Sequence, residues 1–241
     1  MKIVAYAFTT FLLTAFIVAD GADRGPCQKA VANPLIFLHD PTRNDVEMDD
    51  MFGIRFFEVE PQVDPDEYPD EQTWKSKFPG VPPTRAGWQT SYKYALELFA
   101  YLPLQPSDVF YDLGAGFGRI VLTGAAHYPN AKFKAVELVS VRAKEIERVA
   151  AAWDMKNLEV INKNVLDVDF SDGTVFYLFY PFPKLMDEVI SRLKKIGMKK
   201  RIRIATMGFQ ASWKEQKDWL RPIYNENGYN LIIYESVPRS E

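Results

Sequence analysis

Cysteine is almost absent from this chain, with Cys27 the only one in 241 residues. A single thiol excludes an intramolecular disulfide and any multi-cysteine zinc site, and it reads as an ordinary free cysteine. Histidine is nearly as scarce: His39 and His127 are too few for a histidine-built metal centre, so no metal is expected. A basic excess is missing too. The 29 lysines and arginines stand against 32 aspartates and glutamates, for a net charge of -3. That balance does not drive binding to phosphate backbones, and no nucleic-acid partner is expected. There is no internal repeat and no low-complexity tract. What is present is ordinary globular usage, 47% hydrophobic and 25% charged, which argues against disorder and against a polytopic membrane protein. The length suits one catalytic-sized domain with extensions.

The first extension is apolar. IVAYAFTTFLLTAFIVA runs from Ile3 to Ala19 between Lys2 and Asp20, with small residues following. Residues 1–22 read as a secretory signal, which makes the protein secreted or exported. An uncleaved membrane anchor with the domain facing the cytosol is the second reading, because about 17 apolar residues reach the lower limit for crossing a bilayer. A buried helix is the third. Residues 23–83 form an acidic, proline-rich arm: Asp45, Glu47, Asp49, Asp50, Glu58, Glu60 and their neighbours outnumber Arg43, Arg55, Lys75 and Lys77. Pro61, Pro65, Pro69, Pro79, Pro82 and Pro83 predict extended or short helical pieces. The acidic charge suits a solvated surface or a surface that receives a basic substrate.

From residue 84 to 241 the pattern becomes regular. Tyr92, Ala95, Leu96, Phe99 and Ala100 recur at helical steps within Trp88 to Tyr101. Val109 to Leu113 then reads as a buried strand, Gly114-Ala115-Gly116-Phe117-Gly118 as a loop, Arg119 to about Tyr128 as a helix and Lys132 to Leu138 as a second strand. Strand, glycine turn, helix and strand make a βαβ unit. Ser140 is expected to cap a helix ending near Trp153. Strands follow at Leu158 to Asn162, Thr174 to Tyr180 and Arg201 to Thr206, with a helix over Lys184 to Ile196. Asn225-Glu226-Asn227-Gly228 lies between two apolar runs and predicts an antiparallel hairpin. The expected fold is doubly wound α/β, Rossmann-like, with a mostly parallel sheet and a C-terminal antiparallel hairpin.

The glycines carry the first chemistry. Gly114, Gly116 and Gly118 sit at the carboxyl end of the first strand, where an open α/β sheet binds ligands and a bare backbone can approach a nucleotide-like group. Dinucleotide binding wants G-x-G-x-x-G; here the third glycine comes one residue early and Arg119 takes its place. Glu137 ends the second strand, 19 positions beyond Gly118, where a carboxylate accepts from both hydroxyls of a ribose. Asn164 follows the third strand, as a turn residue or as an amide beside an adenine; Asp167 comes next.

FYDLGAGFGRIVL (Phe110 to Leu122), AVEL (Ala135 to Leu138) and FYPFP (Phe179 to Pro183) resemble the class I S-adenosylmethionine-dependent methyltransferases. More narrowly, PPTRAGWQTSYKYALELFAYLPLQPSDVFYDLGAGFGRIV is similar to the non-SET protein-lysine methyltransferases, of the histone-lysine and ATP-synthase c-subunit types. The resemblance implies S-adenosylmethionine as cofactor and a class I methyltransferase fold. It places Thr84 near the methionine end, Asp112 and Gly114 around the amino and carboxylate groups, Glu137 on the ribose and Asn164 at the adenine, where the family usually has aspartate. It further implies a protein lysine as methyl acceptor. Small-molecule methylation and a noncatalytic cofactor-binding interaction module are the alternatives.

Methyl transfer from a sulfonium needs alignment more than a base. Phe179, Tyr180 and Phe182 follow the fourth strand and suit an acceptor channel in which desolvation lowers a lysine pKa; core packing is the other reading. No dedicated base is identified. Lys184, Arg192, Lys194, Lys195, Lys199, Lys200, Arg201 and Arg203 form a basic stretch, read as a solvated helix face or as a contact for an acidic partner or membrane surface.

Overall fold

Five short strands rich in β-branched and aromatic residues run parallel through a seven-stranded sheet: β1 (Val109–Leu113), β2 (Lys132–Val136), β3 (Leu158–Ile161), β4 (Val175–Phe179) and β5 (Arg203–Met207). β1 and β4 are almost wholly buried, as parallel strands are when both faces of the sheet are covered. β6 (Leu220–Asn225) and β7 (Ile232–Ser236) complete the order β3-β2-β1-β4-β5-β7-β6, with β7 antiparallel to both of its neighbours. The ladder between β6 and β7 is irregular between Pro222 and Tyr224, where proline has no N–H to give. The computed structural model describes residues 44–63, 89–179, 183–207, 213, 215–225 and 231–238.

The chain fills one side of β1 with β2 and β3, then crosses back to lay β4 on the other side. That reversal makes the carboxyl ends of β1 and β4 the switch point of the sheet, the place where such sheets bind ligands.

Two cores sandwich the sheet. One gathers Phe99, Phe110, Phe117, Phe133 and Ile146 beneath the helices α3 (Tyr92–Tyr101), α4 (Arg119–His127) and α5 (Ser140–Ala152). The other packs Tyr111, Phe176, Ile204, Trp213 and Trp219 against Met186, Val189 and Leu193 of α6 (Pro183–Gly197).

The acidic arm departs from a solvated surface over its described part. Asn44 caps α1 (Asp45–Phe52) by accepting from the amides of Val46 and Glu47, and Glu47 answers through the Asn44 amide. Met48 and Phe52, one turn apart, turn inward and join the first core with Ile54, Phe56 and Val59. Phe56 and Val59 belong to the short α2 (Phe56–Val59). The arm's carboxylates find partners: Asp49 pairs with Arg119, and Glu60 with Arg142. An apolar face, once buried, draws its flanking charges toward the domain. The expected start of α3 moves from Trp88 to Tyr92, where Ser91 accepts from the Lys93 amide; Trp88 itself lies outside the described residues. Ser140 is not the cap of α5 either. Val139 holds that position, and its amide donates to the Glu137 carboxylate at 2.9 Å.

The apolar run at 3–19 lies outside the described residues, and among those described no helix is long and apolar enough to cross a membrane.

Candidate active site

The loop between β1 and α4 sits at that switch point. Gly114, Gly116 and Gly118 adopt φ values of 104°, 58° and 82°, the left-handed region that side chains with a Cβ avoid. The amides of Gly114 and Ala115 both donate to Val136 O at 2.9 Å, stapling the loop over the end of β2. A Cβ on Gly118 would also stand 3.0 Å from Ile146, so a larger residue there would be strained in conformation and would press on that side chain. The three expected glycines therefore come together as one turn.

Two buried carboxylates flank this turn. Glu137 follows β2; its Oε2 accepts from the Gly116 amide at 2.7 Å and its Oε1 from Val139 N. Burial pushes its pKa up, while Arg142 and the two amides pull against that. A carboxylate offers about four acceptor positions, so two bonds fix its orientation and leave capacity for a diol. Asp112, in β1, is different. It is 2% exposed, and no described residue donates a hydrogen bond to it. Burial first, and the neighbouring Glu137 charge second, raise its pKa well above the ordinary range. Such a group wants a cation or a proton.

Residues not anticipated complete the site. Gln89 lies over the loop, its Nε2 3.8 Å from where a Gly116 Cβ would be. Thr90 Oγ1 hydrogen-bonds the buried Tyr177 hydroxyl at 2.6 Å, and Tyr177 pairs in register with Asp112. Burial, with the Asp112 charge adding to it, pushes the Tyr177 phenol up. Leu138 is exposed directly after Glu137. Asn162 Nδ2 donates to the carbonyls of Glu137 and Leu138, both at 2.9 Å, fixing the strand end that presents the acid. A polar residue immediately before a helix cap, as at Gln89 and Thr90, was the available signal for the first pair.

Asn164 sits after β3, where its Oδ1 accepts from the Leu166 amide and caps the 3-10 turn Val165–Asp167. Phe179 ends β4, half-buried and packed on the first core. Thr84, Tyr180 and Phe182 lie outside the described residues. Of the basic stretch, Arg192 pairs with Glu188, Lys194 with Asp218, Arg201 with Glu235 and Arg203 with Asp108, so much of its charge is neutralised within the fold.

The donor set fits S-adenosylmethionine. A buried carboxylate at Asp112 with no donor among the described residues suits its ammonium, the bare backbone of the glycine turn admits close approach, and the fixed Glu137 carboxylate suits its ribose hydroxyls.

Residues 106–185 match a family model described as "Putative methyltransferase". A protein-lysine N-methyltransferase from Saccharolobus islandicus (strain REY15A) is 28% identical over 91 residues, which cover 37% of this chain and 56% of that protein. The match thus spans little more than half of the relative's length. Among solved structures, an RNA methyltransferase from Salinibacter ruber in complex with S-adenosyl-L-homocysteine gives a TM-score of 0.49 at 19% identity, covering 62% of this chain and 93% of that one. A precorrin-6y C5,15-methyltransferase from Geobacter metallireducens GS-15 gives 0.48 at 14% identity, covering 64% and 93%. Sheet order, glycine turn and family-model match together define the class: this chain has the fold and cofactor turn of the class I S-adenosylmethionine-dependent methyltransferases.

Proposed function

We propose that the protein transfers a methyl group from S-adenosylmethionine to a lysine amine of a protein substrate. The observation that carries the methyltransferase part is the pair of buried carboxylates, Asp112 and Glu137, on either side of the left-handed glycine turn. The lysine part draws its support from the Saccharolobus relative.

The bound cofactor supplies an electrophilic methyl on a sulfonium centre, so the protein's work is positioning. Asp112 would hold the ammonium of the amino-acid end, and its raised pKa would fall beside that cation. Glu137, held by Gly116 and Val139, would hold the ribose diol. The turn backbone would admit the cofactor at close approach. Phe179, at the carboxyl end of β4, walls the acceptor side. An apolar wall strips water from an incoming lysine and lowers its pKa, so the amine enters with a free lone pair. Tyr177 is no base here, since its phenol is buried, bonded to Thr90 and held protonated.

The test is incubation of the full chain with methyl-labelled S-adenosylmethionine and a protein extract, followed by amino-acid analysis of the labelled fraction. Labelled methyl-lysine is expected. Label in RNA or in metabolites alone would overturn the acceptor, and binding of S-adenosylhomocysteine without any turnover would favour a noncatalytic binding module.

A further inference from the structure

Arg119 directly follows Gly118 and opens α4. A cation there faces the positive end of the helix dipole, and burying it adds a desolvation cost that an apolar residue would avoid. It is nonetheless 6% exposed, and its bonds are specific. Nε donates to Asp49 Oδ1 at 2.8 Å, Nη2 donates to Asp49 Oδ2, and Nη1 reaches Asp45 Oδ2 at 3.4 Å and Thr90 O at 3.5 Å. Tyr92 Oη donates to Asp49 Oδ1 at 2.9 Å. Asp45 Oδ1 in turn accepts from Ser91 Oγ and the Tyr92 amide, both at 3.0 Å.

Three stretches of chain therefore meet at one guanidinium: the arm helix α1, the approach to α3 at residues 90–92, and the end of the glycine turn. The approach is the stretch that hangs Gln89 over Gly116 and ties Thr90 to Tyr177 beside Asp112. A planar fork with five donors fixes angle as well as distance, which an apolar contact would not.

We propose that Arg119, held by Asp49 and Asp45, is a positioning residue for the cofactor site, and that docking of α1 and binding of S-adenosylmethionine are thereby coupled. This rests on the cofactor reading above. Coupling is reciprocal: loosening α1 weakens the cofactor, and the cofactor tightens α1.

The experiment uses the full chain and S-adenosylhomocysteine, titrated calorimetrically at a temperature where every variant is folded by circular dichroism. Asp49→Asn is expected to weaken binding roughly 10-fold, within the usual span of coupled sites. The matched control is Glu145→Gln. Glu145 ties the same arm to α5 through Arg55 rather than to the glycine turn, so its loss lowers the melting temperature but shifts affinity by no more than about twofold. Arg119→Lys, which keeps the charge, is expected to retain more affinity than Arg119→Gln. In the wild type, amide exchange over 45–52 slows when the ligand is added. If Asp49→Asn does not fold, Tyr92→Phe removes a single bond to Asp49 and gives a smaller loss in the same direction. Wild-type binding that Asp49→Asn matches, or that Glu145→Gln weakens equally, overturns the positioning role alone. No binding by the folded wild type overturns the cofactor reading and the coupling with it.

Discussion

Asp108 and Asp112 stand four residues apart on the same stretch of chain, both buried, and they have opposite surroundings. Asp108, just before β1, accepts from the Gln105 amide, Thr174 Oγ1 and Arg203 Nη2, each at 2.7 Å. Burial alone would raise its pKa, yet these donors bring it below the ordinary carboxylate value. Asp112, at the other end of the strand, has no described donor, and its pKa rises. The amino end of the sheet is closed upon itself, whereas the acid at the carboxyl end has no donor among the described residues. A buried acid without a described donor costs stability, and an external cation that paired with it would recover that cost on binding.

The contrast breaks most visibly at Asp108. Asp108→Ala removes one partner each from Thr174, Arg203 and the Gln105 amide and is expected to cost about 3 kcal/mol in urea unfolding, with affinity for S-adenosylhomocysteine unchanged by calorimetry. Asp112→Asn should do the reverse: affinity falls by about 2 kcal/mol, the size of a lost charge-assisted bond, while the unliganded protein unfolds at higher urea. A loss of stability in Asp112→Asn would make the two aspartates alike and remove the contrast. Thr90→Val, which leaves the buried Tyr177 hydroxyl without its partner, is expected to cost about 1 kcal/mol in unfolding and a smaller share of affinity.

The finest test is pH. The folded protein binds the Asp112 proton more tightly than the unfolded chain, so the stability advantage of Asp112→Asn over wild type grows as pH rises from about 4 through the raised pKa. Glu137, raised in the same way, and the protonated Tyr177 are the groups that face it. Asp108 has the opposite sign. Its contribution is full above the reference value of 3.8 and fades as pH falls through the lowered pKa, so wild type and Asp108→Asn converge in acid. Parallel urea curves across the pH range read both slopes.

Strand-and-turn order was legible because it is written locally. β1 matches its expected bounds, and β2 to β5 fall within three residues of theirs, since apolar runs and glycines are near-neighbour signals. Gly114, Gly116, Gly118, Asp112 and Glu137 gather for the same reason: each lies at a strand end whose position the pattern reveals. What escaped was long-range. Nothing near Asp49 tells that it will meet an arginine 70 residues on, so an acidic arm reads as solvated. Ser140 has the right chemistry for a cap, but the Arg142 and Ala143 amides that such a cap would take donate to Val139 O instead. Gln89 and Thr90 were absorbed into a helix because Trp88 extended the apolar rhythm across them. That Asn162 fixes the end of β2 likewise depends on which neighbour faces the carbonyls.

The position of β7 bears on how the molecule is made. β6 precedes β7 in the chain, yet β7 lies between β5 and β6. As the polypeptide leaves the ribosome, β5 is therefore exposed on one edge and β6 has no strand to join until residues 232–236 have emerged. The sheet is completed by insertion rather than by addition, and a nascent chain halted before that point leaves one side of β5 unpaired and β6 without any partner strand. Binding of folding helpers to stalled chains should drop sharply once β7 is free of the exit tunnel.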